Sequence, residues 1–263
     1  MDTDRFLLLP ALSLATLTLA FASGAPAAPC VAPDNGAGTA TLPIAGCVYE
    51  GDVLRITDGL PPGTTIDMAS PIFGGWSNAS ETTGGPLSGN VQQYGAHLLL
   101  QMAGTGTLAG FSRSIDLLLP DDGTNHMASG PRTPNASPQT FDIEVLGLRG
   151  QANPADPDFG LLRIVGGSDS GMYSPGTTQL TSDGAGHWTA DSFFDLTYRI
   201  DFIGAPGGAL AGRSGSTNGV AHFVLRAVPE PSTLLLTAFG ACALGGVRRR
   251  RRSSRAPARR ARG

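Results

Sequence analysis

The stretch Phe194-Asp195-Leu196-Thr197-Tyr198-Arg199-Ile200-Asp201-Phe202 alternates apolar and polar residues without a break over nine positions. Successive side chains of a β-strand point to opposite faces, so a period of two predicts a strand with one face buried and one in water. Thr140 to Leu148 alternates nearly as well. Shorter runs of the same kind cover Cys47 to Thr57, Gln93 to Met102, Phe111 to Leu119, Phe159 to Val165 and Val220 to Arg226. Turn signals separate them: Asp58-Gly59, Pro61-Pro62-Gly63, Asp121-Asp122-Gly123, Asn153-Pro154 and Asp183-Gly184. No part of the body sustains a helical period. Gly (37) and Pro (20) make up more than a fifth of the 263 residues, a composition that excludes a mainly helical protein. The expectation is a mainly β body over residues 30–227, an antiparallel β-sandwich built as one large unit or as two small Ig-like halves.

One feature keeps the two-half alternative open. Leu108-Ala-Gly-Phe-Ser-Arg-Ser114 and Leu210-Ala-Gly-Arg-Ser-Gly-Ser216 resemble each other, and each sits between two predicted strands. Against two halves, only Ser129 to Pro138 has a linker-like composition, and it reads equally well as a surface loop.

The net charge of −3 hides a strong asymmetry. Every basic residue is Arg; nine lie after Val247, and the body from Cys30 to Val228 holds eight against 18 Asp plus Glu. Phosphate contacts need surface cations, so the acidic body argues against nucleic acid as a partner.

The two ends read as addresses. Residues 1–29 have the order of a secretory signal peptide: Arg5, an apolar stretch from Phe6 to Phe21, then small residues from Ala22 to Ala28. At the other end Val228-Pro229-Glu230-Pro231-Ser232-Thr233 leads into the apolar run Leu234 to Val247, followed by Arg248, Arg249, Arg250, Arg251 and Arg252. A helix over 234–247 is about 21 Å long at 1.5 Å per residue, short of the roughly 30 Å hydrocarbon core. It spans a bilayer only with help from flanking residues and snorkelling arginines. The five arginines act as a basic stop-transfer cluster that stays cytoplasmic and leaves the body outside. Residues 253–263 form a further basic cytoplasmic tail.

This arrangement of Pro-Glu-Pro, short apolar helix and basic cluster over residues 228–252 resembles the PEP-CTERM sorting signal of Gram-negative bacteria. The resemblance implies an exosortase, a membrane-embedded transpeptidase-like enzyme, that recognises Pro229, Glu230 and Pro231 and removes the tail. It further implies an exopolysaccharide-producing host, the inner membrane as an intermediate station, and a destination at the cell surface or in the biofilm matrix. The tail departs from the family in running on from Ser253 to Gly263. The two prolines hold the element extended, so Glu230 is presented as a single polar handle at the membrane surface.

Within the body the chemistry is sparse. Cys30 and Cys47 lie 17 apart in a chain bound for an oxidising compartment, and either pair or remain as two free thiols. The four histidines at 97, 126, 187 and 222 lack metal-ligand spacing. Gly167-Ser-Asp-Ser-Gly171 does not match the spacing of a serine-hydrolase elbow and reads as a turn. Asp121, Asp122 and Asn125 form a weak calcium candidate, although Asp, Asn and Gly are also what turns use. Asn78-Ala-Ser80 and Asn135-Ala-Ser137 have the form of glycosylation acceptors. Trp76, Trp188, Tyr173 and Tyr94 are the aromatic candidates for stacking on sugars. No catalytic constellation stands out and no cofactor is indicated. The expected function is an exported surface or matrix protein with a structural or adhesive body, binding exopolysaccharide or further copies of itself. The alternatives are a secreted polysaccharide hydrolase and an uncleaved, membrane-anchored binding domain.

Overall fold

The structure, a computed structural model, describes residues 29–228. Twelve strands form β1 (Cys30–Pro33), β2 (Cys47–Gly51), β3 (Leu54–Ile56), β4 (Ile66–Thr83), β5 (Asn90–Gly104), β6 (Ser112–Leu119), β7 (His126–Ser129), β8 (Gln139–Ala152), β9 (Phe159–Gly166), β10 (Pro175–Ser182), β11 (His187–Gly204) and β12 (Ser214–Ala227). The nine-residue alternation lies in β11, where Phe194, Leu196, Tyr198, Ile200 and Phe202 are all buried and the residues between them face outward. Burying one such side chain stabilises the fold by about 1.5–3 kcal/mol, so this strand alone supplies a large part of the core. No α-helix occurs among the described residues, and none of their helical turns is long and apolar enough to cross a membrane.

The antiparallel β expectation holds, but the strands form one continuous sheet instead of two stacked ones. The order β4-β2-β12-β11 continues to β8 through β10 at one pole and through β9 at the other. From β8 it reaches β5 through β7 and β6 in the same way, and β5 returns to β4. The long strands β4, β5, β8 and β11 run the height of the body and accept two short neighbours end to end. Hydrogen bonds therefore run round the molecule as a closed ring, which removes most free strand edges. One cluster of buried apolar residues fills it, from Cys30 and Tyr49 to Phe159 and Leu210.

The two similar segments occupy equivalent places, the β5–β6 and β11–β12 loops. Gly104 N–H donates to the Phe111 carbonyl and Gly204 N–H to that of Arg213, each at 2.8 Å. Phe111 N–H donates to Leu108 and Arg213 N–H to Leu210, at 2.8 and 3.0 Å. A Cβ on Gly104 or Gly204 would collide with the carbonyl of the buried leucine, so each strand leaves the sheet at a glycine. The linker-like segment is a loop packed on the body: Arg132 donates to the Ala40 carbonyl at 2.6 Å and pairs with Glu81, and Asn135 N–H donates to Gly38.

Candidate functional site

The C-terminal strand carries the body straight into the sorting segment. β12 is held between β11 and β2, and its last residue, Ala227, pairs with Cys47. Val228 N–H then donates to the Gly46 carbonyl at 3.0 Å, so the fold still holds the residue just before Pro229. A disulfide joins Cys30 to Cys47 at this pole, with both side chains buried and the Cα atoms 5.9 Å apart. It clamps β1, which pairs with β11, to the strand beside the exit of the tail. The signal segment, Pro229, Glu230, Pro231, the apolar run 234–247, Arg248 to Arg252 and the tail 253–263 lie outside the described residues.

On the outer face of β8, β10 and β11 a groove of about 280 Å³ runs between Tyr173 and Phe193. Tyr173 is 65% exposed and Phe193 41%. Strand register builds the site: Thr177 stands opposite both Asp142 and Phe193, and Pro175 opposite Glu144. Asp195 stands opposite His222, whose Nδ1 lies 2.7 Å from its carboxylate and whose ring centroid is 5.2 Å from that of Phe193. Thr197 Oγ1 donates to the Tyr173 carbonyl at 2.8 Å and fixes the loop that carries this ring. Two exposed rings with carboxylates and a hydroxyl between them can stack on apolar sugar faces and bind the hydroxyls at their edges.

Of the four aromatic candidates only Tyr173 faces water. Trp188 is buried, its Nε1 donating to Asp34 at 2.9 Å; that bond comes first among the causes that hold Asp34 below the usual carboxylate range. Tyr94 is buried, and Trp76 packs edge-on against it and Phe73 while its Nε1 donates to the Cys47 carbonyl. Phe193 was not among the sequence candidates; extending the β11 alternation by one residue before Phe194 puts it on the outward parity and is the signal that would have found it.

Each histidine meets a carboxylate: His97 with Asp116 at 2.9 Å, His126 with Asp169 at 3.0 Å, His187 with Asp183 at 3.0 Å, and His222 with Asp195. The His126–Asp169 pair sits at the Gly167–Gly171 turn, but His126 Nδ1 is buried against Gly147, out of reach of Ser168 or Ser170 as a nucleophile. The calcium candidates turn away from a shared centre. Asn125 is buried with Nδ2 donating to the Pro120 carbonyl and Oδ1 accepting from Arg149 N–H, both at 2.7 Å. Asp122 accepts from the Thr124 hydroxyl and N–H, which hold it below the usual carboxylate range, and Asp121 accepts from Asn78. Among the described residues no group of three or more His, Cys, Asp or Glu side chains is placed to hold a metal ion.

Residues 227–252 match the family of PEP-CTERM protein-sorting motifs. The motif implies processing by an exosortase, export, and a destination at the cell surface or beyond it. Comparison with curated proteins and with solved structures finds no match to the chain.

Proposed function

We propose that the protein is a structural or adhesive component of the cell surface or extracellular matrix whose body binds polysaccharide along the Tyr173–Phe193 groove. The observation that carries this reading is the pair of exposed rings on a sheet face that also presents Asp142, Glu144, Thr177 and Asp195. Two exposed rings side by side with hydroxyl and carboxylate groups offer apolar faces for stacking and polar groups for hydrogen bonds, the combination that a sugar chain presents in return. The reading is one of binding without catalysis. Delivery rests on the sorting motif: export carries the body across the inner membrane, and exosortase releases it from the residues that follow the Pro-Glu-Pro element.

The test is affinity electrophoresis of the mature protein through gels containing the host's exopolysaccharide. Tyr173→Ala and Phe193→Ala should each weaken retardation about tenfold, the loss of roughly 1.4 kcal/mol of stacking. Equal retardation of the double variant and the parent protein would overturn the assignment of this groove.

A further inference from the structure

A second groove lies at the opposite pole of the ring. It has a volume of about 590 Å³ and opens between the β5–β6 and β11–β12 loops, the two that share the Leu-Ala-Gly sequence. Arg113, Asp158 and Arg213 line it together with the hydroxyl-bearing Thr107, Ser112 and Ser114.

The two arginines are not equivalent. Arg113 is neutralised, with Nη2 2.5 Å from Asp156 and Nη1 2.6 Å from Asp158. Asp158 is committed as well, since its other oxygen accepts from Ala209 N–H at 3.1 Å. Arg55, Arg132, Arg163 and Arg199 also have carboxylate partners, while Arg149 and Arg226 stand out in solvent. Arg213 is half-buried, and its Nη1 is enclosed with no protein acceptor among the described residues. Nη1 is closed to solvent and therefore to a ligand, so the Nε–Nη2 edge is the part of the guanidinium that an oxyanion entering the groove can take in two-point fashion.

We propose that this groove binds a carboxylate-bearing polysaccharide, with the Arg213 fork on the carboxylate and Thr107, Ser112 and Ser114 bonding the sugar hydroxyls. The planar guanidinium matches a carboxylate in shape. The charge of the body narrows the class further. With eight Arg against 18 acidic residues between Cys30 and Val228, a dense polyanion is repelled, whereas a carboxylate spaced along a sugar chain meets in this groove a cation that has no carboxylate partner among the described residues. The position suits capture. The 14 residues of β12 separate Arg213 from the tail by about 45 Å at roughly 3.3 Å per residue, so the groove lies at the far end of the body from the sorting segment.

The inference stands apart from the Tyr173–Phe193 groove and is tested separately. Titration calorimetry of the mature protein uses tetragalacturonate, its methyl ester, inorganic sulfate and a hexaglutamate peptide as probes. The acid should bind at least tenfold more tightly than the ester and than sulfate, and hexaglutamate more weakly still. Arg213→Gln should cost tenfold or more for the acid and leave the ester unchanged, Arg213→Lys should recover only part of the loss, and Tyr173→Ala should have no effect. Equal affinity for acid and ester, tighter binding of sulfate or hexaglutamate, or no saturable binding of the acid up to about 10 mM would each overturn the proposal. The acid–ester comparison needs no variant, so it decides the matter even where Arg213→Gln disturbs the loop.

Discussion

The Cys30–Cys47 disulfide makes the most direct energetic prediction. It closes a loop of 17 residues in the unfolded chain, and in the chain-entropy account such a loop stabilises the folded state by about 3 kcal/mol. The 200 described residues unfold with an entropy of roughly 2.1 cal/mol/K each, so the loss converts to a fall of about 7 °C in Tm. Cys30→Ala combined with Cys47→Ala is the perturbation, followed by calorimetry and by urea denaturation. Both cysteines are buried, so the double variant also loses some packing. Reducing the parent protein separates the two effects, because it opens the loop and leaves the side chains in place. Reduction should give the 3 kcal/mol loss and the double variant slightly more. A change below about 1 kcal/mol on reduction, or a large loss in the variant that reduction fails to reproduce, would refute the loop-closure argument.

Two buried tyrosines separate a satisfied hydroxyl from an unsatisfied one. Tyr49 Oη lies 3.0 Å from Ser192 Oγ, which is 2.7 Å from Thr178 Oγ1, so Tyr49→Phe should lower stability by about 1–2 kcal/mol in urea denaturation. The Tyr94 hydroxyl is buried with no protein partner among the described residues, so Tyr94→Phe should be neutral or stabilising by about 1 kcal/mol; an equal loss in both variants contradicts this. Burial pushes the Tyr49 phenol up to about 12 from an ordinary value of 10.0, against a smaller downward pull from Ser192. The unfolded chain then ionises first, so stability should hold up to about pH 10 and fall from there through pH 12, a decline that Tyr49→Phe should reduce. Gly204→Ala forces a Cβ into the Leu210 carbonyl and should destabilise the β11–β12 loop by about 1–3 kcal/mol, seen as faster amide exchange at Ala205 to Arg213.

How much of this was legible in the sequence depends on how far each feature is local. The alternation from Phe194 to Phe202 gave the buried and exposed faces of that part of β11 residue by residue, while Phe193, one position before it, was not picked out as a surface aromatic. The run Cys47 to Thr57 became two strands, β2 and β3, because the pairing breaks at Asp52 and Val53. The long strand β4 was invisible. Its inward positions are Ile66 and Met68, then Pro71 and Phe73, a change of parity across Ser70, which has φ 46°. Further register shifts fall between Gly74 and Ser80, around Asn78 at φ 48°, so no period of two survives to be read. The short strands β1, β7 and β10 depend on their neighbours for definition. Ring closure was out of reach for a different reason: it needs β2, near the start of the body, beside β12 at its end, and no local pattern encodes that pairing. The same holds for the Arg213 groove. The two similar loops could be seen in the sequence, but their meeting across one groove is a property of the closed sheet.

The central claim is that the body is exported and released at the Pro-Glu-Pro element. The intact mass of the mature protein from its native host, with and without functional exosortase, tests it most directly. The account predicts a chain ending near Pro231 when the enzyme is present and a longer one, including Arg248 to Gly263, when it is absent. A mass that retains Arg248 to Gly263 in both strains would contradict it and leave a membrane-anchored β domain.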